Sequence, residues 1–433
     1  MNEALEELEA ENPSAYPPSI QAGIPKLGDT PKGWTRYRLG DLLHKVERPA
    51  KLVDSETYQL VTAKRNRGGI VAREVLRGDQ IRTKTQYYVE TGDFLISNRQ
   101  ISHGACGIVP ECLNRAVVSN EYTAFHTADA LDPAFLQALS HSIYFQQTCF
   151  HSSIGVHVEK LVFRLEDWMR WEFDIPPLQE QKRIVAVLTA WDRAIGKTEC
   201  LIAAKRQRKM GIVGRALFDT GTRRGFLRDL ADINPRNAKV PAETVVSFVG
   251  MEDVSEAGTL ITKTDRLRGP LGSGYTQFVD GDVLVAKITP CFENGKGALA
   301  SGLTNGFGFG TTEFHVLRPH DPDDADYVHQ ITLTRSFRTS GERQMSGSAG
   351  QRRVPQEFIE DFPIFVPGDN ARRTIGNLLA SIDTELSALE SQTKQWRLQK
   401  SGLMQKLLTG ERQLDGRFDN FATAAQTAAG GAA

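Results

Sequence analysis

Residues 176–195 read PPLQEQKRIVAVLTAWDRAI, and this stretch decides the fold because the chain repeats its pattern. Its apolar positions Ile184, Leu188, Trp191 and Ile195, continued by Ile202, Ile212 and Ala216, are spaced by sums of fours and threes. Ile375, Leu379, Ile382, Leu386, Leu389, Trp396, Leu403 and Leu407 keep the same rhythm, in register 191 residues later. A heptad stripe held this long predicts a coiled coil rather than the amphipathic face of a globular helix. Thr198, Lys205 and Lys209 interrupt the first stripe where the second has Leu389, Trp396 and Lys400, and Ile202 is answered by Thr393. Such complementary gaps predict that the two helices pack on each other. Pro177 and Pro367 suit helix starts, and Gly221 and Gly410 suit helix ends. Roughly 35 to 40 helical residues would make a rod on the order of 55 Å long.

The repeat extends outward from the helices. RLGDLL at 38–43 is echoed by FLRDLA at 226–231, GDFLIS at 92–97 by GDVLVA at 281–286, and NEYTAF at 120–125 by TEFHVL at 312–317. The plan is a leader (1–30), a globular domain (31–175), a helix (176–221), a second domain (222–366), a second helix (367–412) and a disordered tail (413–433). Within each domain, short β-branched and aromatic runs separated by glycine read as strands: YQLVTA, GGIVA, QYYVETGDFLIS and GACGIV, then TVVSFVG, YTQFVDGDVLVAKI and GALASG. Helical segments are expected near 132–150 and 324–337. The fold class is α/β or α+β, each domain with a prominent twisted sheet. A pseudo two-fold internal repeat would make the coiled coil antiparallel, with a domain at each end. Such a rod could hold two domains more than one turn of B-DNA apart.

A net charge of −1 gives no global pull toward polyanions, so any nucleic-acid surface must come from local clusters. Residues 64–84 hold seven cations, Lys64, Arg65, Arg67, Arg73, Arg77, Arg82 and Lys84, against two acids, a density that would neutralise phosphates. The second domain offers Lys263, Arg266 and Arg268, then Arg335, Arg338, Arg343, Arg352 and Arg353, with Lys287 and Lys296 between these groups. Asn98, Arg99 and Gln351 beside such cations are candidates for base readout, since Arg and Asn match guanine and adenine edges with paired hydrogen bonds.

Other constellations are weaker. The five cysteines are odd in number and never spaced C-x-x-C, which argues for reduced, mostly buried thiols. His141, His151 and His157 fit no metal-binding spacing, and NGKGALASG at 294–302 lacks the phosphate-loop spacing and reads as hairpin turns. No adenine-methyltransferase loop, Walker motif or glycine-rich nucleotide fold is visible, and neither a signal peptide nor an apolar run of membrane-spanning length, so a cytoplasmic protein is expected. No metal or catalytic residue is assigned.

The chain resembles the specificity (S) subunits of type I restriction-modification systems. PPLQEQKRIVAVLTAWDRAI, its continuation KTECLIAAKRQRKMGIVGRAL, and SGLMQKLLTGE at 401–411 resemble the family's conserved regions. GDFLISNRQISHGACGIVP, SNEYTAF and FVGMEDVSEAG resemble its target recognition domains. The second helix departs from the pattern, with PGDNARRTI where the family usually keeps a Pro-Leu-x-Glu-Gln-like start. The resemblance implies a non-catalytic DNA-binding subunit whose two domains each read half of a bipartite target, with the helices setting the gap. It implies two modification subunits carrying S-adenosylmethionine, and restriction subunits using ATP and Mg. Gln179, Glu180, Gln181 and Arg183 are candidates for docking those partners, with helix capping or a solvated face as the alternative for each. A self-contained methyltransferase or nuclease and a protein-only coiled-coil adaptor are the competing classes.

Overall fold

The computed structural model describes residues 23–154, 162–218, 223–272, 274–348 and 350–419. The chain divides into two compact units, one formed by residues up to Lys197 together with those from Lys394, the other by Thr198–Thr393. In the first unit the strands are β1 (Thr35–Arg38), β2 (Leu43–Val46), β3 (Pro49–Ala50), β4 (Thr57–Ala63), β5 (Ile70–Arg77), β6 (Gln86–Tyr88) and β7 (Phe94–Ser97). They continue as β8 (Cys106–Ile108), β9 (Val117–Ser119), β10 (Tyr122–Thr127), β11 (Ser153–Ile154), β12 (Val162–Phe163) and β13 (Glu172–Ile175). Its short helices are α1 (Leu39–Leu42), α2 (Pro133–Leu139), α3 (Ile143–His151) and α4 (Leu165–Trp168), and α5 (Leu178–Phe218) continues from it into the second unit.

The second unit contains β14 (Arg223–Phe226), β15 (Ala231–Ile233), β16 (Val245–Val249), β17 (Thr264–Leu267), β18 (Thr276–Val279), β19 (Val283–Ala286), β20 (Gly297–Leu299), β21 (Phe307–Gly310), β22 (Phe314–Pro319) and β23 (Pro363–Val366). Its helices are α6 (Ala325–Thr332), α7 (Arg335–Gln344) and α8 (Gln356–Glu360), and α9 (Asp369–Leu408) begins in it and ends in the first unit.

The two units share one topology. A four-stranded antiparallel sheet has the order β2-β10-β7-β8 in the first and β15-β22-β19-β20 in the second. A second sheet runs β6-β9-β4-β5 with β3 added at its edge, matched by β18-β21-β16-β17. In each, one pair is parallel, β4 with β9 and β16 with β21. A two-stranded ladder joins β1 to β13, and β14 to β23, so the strand that opens each unit pairs with the strand that precedes a long helix.

Most of each unit's strand content is therefore divided between two larger sheets rather than gathered in one prominent sheet, and the GD dipeptides show why. Gly92 and Gly281 adopt φ of 89° and 90°, which lets the chain turn between β6 and β7, and between β18 and β19. The following aspartates close those turns. Asp93 Oδ2 accepts from the Glu90 N–H, and Asp282 Oδ2 from the Val279 N–H, each at 2.8 Å. Both carboxylates are buried and each is held by a guanidinium, Arg48 for Asp93 and Arg318 for Asp282. β7 and β19 then run FLIS and VLVA, buried at every residue, as central strands covered on both faces must be.

Each unit has its own core. Phe94, Phe125, Phe145, Trp168 and Phe173 meet in the first, and Phe292, Phe337, Phe358 and Phe362 in the second. Burying one such side chain contributes about 1.5–3 kcal/mol. The start of α5 enters the first core through Ile184 and Leu188, beside Met404, Leu407 and Leu408 from the end of α9. Asp192 of α5 accepts from Lys400 of α9 at 2.5 Å in the same unit. In the second unit Lys205 pairs with Glu385 and Lys209 with Asp383, so rising numbers in α5 meet falling numbers in α9. The helices are antiparallel within each unit. Of the stripe, Ile184, Leu188, Ile195, Ile202, Leu379 and Leu386 are buried, and Trp191, Ile375, Ile382, Leu389 and Trp396 are half-buried.

Two expectations are corrected here. The tail expected to be disordered from 413 is packed at its start, since Leu414 is buried and donates its N–H to Glu180, and Asp419 accepts from Arg183 at 2.6 Å. One buried leucine and a charged partner are enough to anchor this segment before the low-complexity composition begins. Nor are the thiols mostly buried: Cys106 and Cys149 are, whereas Cys112 and Cys200 are exposed and Cys291 is intermediate. Among the described residues no helix is long and apolar enough to cross a membrane.

Candidate nucleic-acid interface

The basic run of the first unit lies on the β4–β5 hairpin and the segment between β5 and β6, and is not one patch. Asn66 and Arg67 both have positive φ, 55° and 62°, and the Gly68 N–H donates to the Arg65 carbonyl at 3.1 Å. This tight turn has the twist that favours a two-residue hairpin loop. It leaves Lys64, Arg65 and Arg67 at one end of β5 and Arg77 at the other. Eight residues at about 3.3 Å each put roughly 25 Å between them. Along and beyond the strand, Arg73 pairs with Glu74, Arg77 pairs with Asp79, and Lys84 donates to the Gly78 carbonyl. Lys64, Arg65 and Arg82 are exposed, with no ion pair among the described residues.

The hairpin tip is joined to the loop that follows β7. The Asn66 N–H donates to the His103 carbonyl at 2.8 Å, and the Asn98 N–H to the Glu121 carbonyl at 2.9 Å. Asn98 Oδ1 accepts from the Thr123 hydroxyl at 3.0 Å, and Arg99 lies against Glu121 with Nε and Nη2 at 2.5 and 2.8 Å. Lys64, Arg65, Arg67, Asn98 and Arg99 are thus gathered at one end of the unit. Arg67 is half-buried, and burial lowers its pKa. Burial also lifts the nearby Cys106 thiol to about 12 and depresses His141 to about 4, so both neighbours are neutral at pH 7.

The second unit gathers a matching group. The Lys287 N–H donates to the Glu313 carbonyl at 2.8 Å, and Arg353 lies against the Glu313 carboxylate with Nε and Nη2 both at 2.9 Å. That guanidinium holds the Glu313 carboxyl below its usual range. Arg352 lies 3.5 Å from Glu293, and Gln351 is exposed beside it. Lys287 is half-buried and its pKa is lowered by that burial. Asn234 and the Val354 carbonyl bracket His315 on the same side, and burial depresses this imidazole to about 4.

Other candidates lie elsewhere. Arg266 and Arg268, on and just beyond the exposed edge strand β17, stack on Phe248 and Phe309 at 3.9 and 4.7 Å. Lys263 precedes that strand, and Lys296 donates to the Met251 carbonyl. Arg335 and Arg343 are exposed on α7.

Arg338, expected among the DNA contacts, is instead buried. α7 turns Phe337, Arg338 and Gly341 into the core. The Arg338 guanidinium donates to the Phe292 and Gly295 carbonyls and lies over the Phe292 ring, and burial lowers its pKa to about 10. A run of charge along the sequence does not show which of its members the helical period turns inward.

The docking candidates at the start of α5 are mostly engaged within the first unit. Gln181 is fully buried, donates to the Ala130 and Pro176 carbonyls and accepts from the Asp132 N–H, so its expected place on a docking surface is withdrawn. Glu180 accepts from Trp34 Nε1 and the Leu414 N–H, and Arg183 donates to Asp419 and the Leu414 carbonyl. Gln179 is exposed. Of the three histidines considered, His141 contacts Gln137 at 3.0 Å, His151 lies on α3, and His157 lies outside the described residues. Among the described residues no group of three or more His, Cys, Asp or Glu side chains is placed to hold a metal.

Glu121 and Glu313 escape a reading of the sequence that follows positive charge. Their signal is present in the echo of NEYTAF by TEFHVL, which places a glutamate at the same point of each unit.

Residues 31–203 match the family described as type I restriction modification DNA specificity domain. The Escherichia coli type I restriction enzyme EcoEI specificity subunit is 40% identical over 159 residues, covering 35% of this chain and 26% of that protein. The EcoAI specificity subunit of the same organism is 39% identical over 195 residues, covering 42% and 31%. The matched stretch thus spans a quarter to a third of these curated relatives. The type I restriction-modification S subunit from M. genitalium shares the fold, with a TM-score of 0.53 at 12% identity over 90% of this chain and 99% of that one.

Proposed function

We propose, from the match of residues 31–203 to the type I restriction modification DNA specificity domain, that the whole chain is the specificity subunit of such a system. Each unit reads one half of a bipartite duplex target, and α5 and α9 set the unread gap. The observation that carries this reading is the repeat of one topology with an arginine–glutamate pair at the same sheet end in each unit. The exposed cations Lys64 and Arg65 would meet phosphates, and the held arginines Arg99 and Arg353 would lie nearer the bases. The chain contributes no catalytic group of its own. Two modification subunits would bring S-adenosylmethionine for adenine methylation, and restriction subunits would bring ATP- and Mg-dependent cleavage, all in the cytoplasm. Gln179 is the docking candidate that retains an exposed side chain at the start of α5.

Binding of the full chain, assembled with its modification subunits, to a genomic duplex tests this reading across a salt series. Phosphate contacts predict affinity falling linearly in log–log form as salt rises. Salt-independent binding, or none, would favour the protein-only adaptor.

A further inference from the structure

We propose that Glu121 and Glu313 are positioning residues, each presetting one arginine, Arg99 or Arg353, to contact a guanine edge in the half-site its unit reads. This rests on the DNA-reading proposal above. The two glutamates occupy the same point of the repeat, and each is fixed by its backbone. The Glu121 carbonyl accepts from the Asn98 N–H, and the Glu313 carbonyl from the Lys287 N–H, at 2.9 and 2.8 Å. Asn98 and Lys287 are themselves repeat equivalents, each directly following the GDFLIS or GDVLVA strand run. The carboxylates therefore stand on the rigid end of a sheet.

The arginines come from unrelated places. Arg99 follows β7, whereas Arg353 comes from the segment before α8, more than fifty residues beyond β19. Different loops nevertheless deliver a guanidinium to the equivalent carboxylate of each unit, and with the same edge. Nε and Nη2 face the glutamate in both units. What recurs is the held guanidinium, not the loop that supplies it.

Stability does not account for this recurrence. The Arg99 and Arg353 side chains are 74% and 46% exposed, and ion pairs with so exposed a guanidinium add little to folding. Specificity does account for it. Bidentate recognition of guanine O6 and N7 needs a guanidinium fixed in plane and direction, and an unheld arginine must lose its rotamer freedom on binding. Holding the Nε–Nη2 edge leaves Nη1 and the second Nη2 hydrogen directed away from the carboxylate. Nη1 of Arg99 has no partner among the described residues, and Nη1 of Arg353 donates to the Gln351 carbonyl at 3.2 Å. The glutamate also places a negative charge where phosphates of a non-matching duplex would approach, so it disfavours unspecific binding.

The test is selection from a randomised duplex library by the full chain assembled with its modification subunits, as wild type, Glu121→Gln, Glu313→Gln and Arg99→Lys. Affinity for one fixed duplex lacking the selected motif is measured alongside. Glu121→Gln is expected to lose about tenfold of its preference for guanine within one half of the motif and to keep the other half. Glu313→Gln should do the converse, and Arg99→Lys, which keeps charge but removes the fork, should weaken the same half as Glu121→Gln. Both glutamine variants should bind the non-matching duplex at least as tightly as wild type. Unchanged base preference, or affinity falling equally on matching and non-matching duplexes, overturns the positioning role. A wild-type assembly that selects no motif at all overturns the DNA-reading proposal itself.

Discussion

Gln181 and Arg372 stand at equivalent points of the two long helices, 191 residues apart, and each ties its helix to the carbonyl of the proline five residues before it. Gln181 donates to Pro176 at 2.8 Å and Arg372 to Pro367 at 2.9 Å. Each also anchors the first turn of the helix beneath. Gln181 accepts from the Asp132 N–H ahead of α2, and Arg372 pairs with the Asp324 carboxylate ahead of α6. The departure of PGDNARRTI from the first helix's PPLQEQKRI thus replaces a neutral clamp by a charged one in the same place.

The two clamps should differ in cost. Arg372→Ala leaves Asp324 buried without a counter-charge and is expected to destabilise by about 3–5 kcal/mol. Gln181→Ala leaves neutral groups unpaired and should cost about 1–3 kcal/mol. Denaturant unfolding of the two variants checks the order, and equal losses would contradict it.

The placement of Arg338 gives a second expectation. Arg338→Met should leave duplex affinity and its salt dependence unchanged, because the guanidinium is buried against Phe292 and Phe337 and donates to the Phe292 and Gly295 carbonyls. Lys64→Ala with Arg65→Ala should weaken binding to all duplexes and shallow the log–log salt slope by about one for each phosphate no longer neutralised. A salt slope altered by Arg338→Met would place that residue back at the interface.

Burial makes stability pH-dependent. His141, His315 and His329 are each depressed to about 4 by burial, against about 6.5 in the unfolded chain. As pH falls the unfolded state takes up protons first, so their contribution is fully present above about 6.5 and is lost progressively as pH falls toward 4. The melting temperature is expected to fall between pH 7 and pH 5, above most carboxylate titration. A flat profile over that interval would contradict the buried, neutral state of these imidazoles.

Much of this was legible in the sequence because it depends on periodicity. The stripes from Ile184 and Ile375 and the GDFLIS and GDVLVA runs each carry a repeating pattern, and they correspond to α5, α9, β7 and β19. The division into two sheets was not, since the turn at Gly92 interrupts what reads as one continuous strand. The candidate interface was legible as composition and not as geometry. Lys64 and Arg77 are thirteen residues apart in one basic run, yet lie at opposite ends of β5. Arg338 belongs to a charged helix and still points inward, because Phe292 and Phe337 offer ring faces and two carbonyls accept its donors.

Whether the two units read two half-sites across a gap set by α5 and α9 is decided by mapping methylated adenines in a host that expresses the chain with its modification subunits. Wild type is compared with a variant lacking one heptad from each of α5 and α9. The expected result is a bipartite motif whose two halves are unchanged in the variant and whose gap is shorter by about 10 Å, or about three base pairs. A contiguous motif, or a bipartite one whose gap is the same in both proteins, would contradict it.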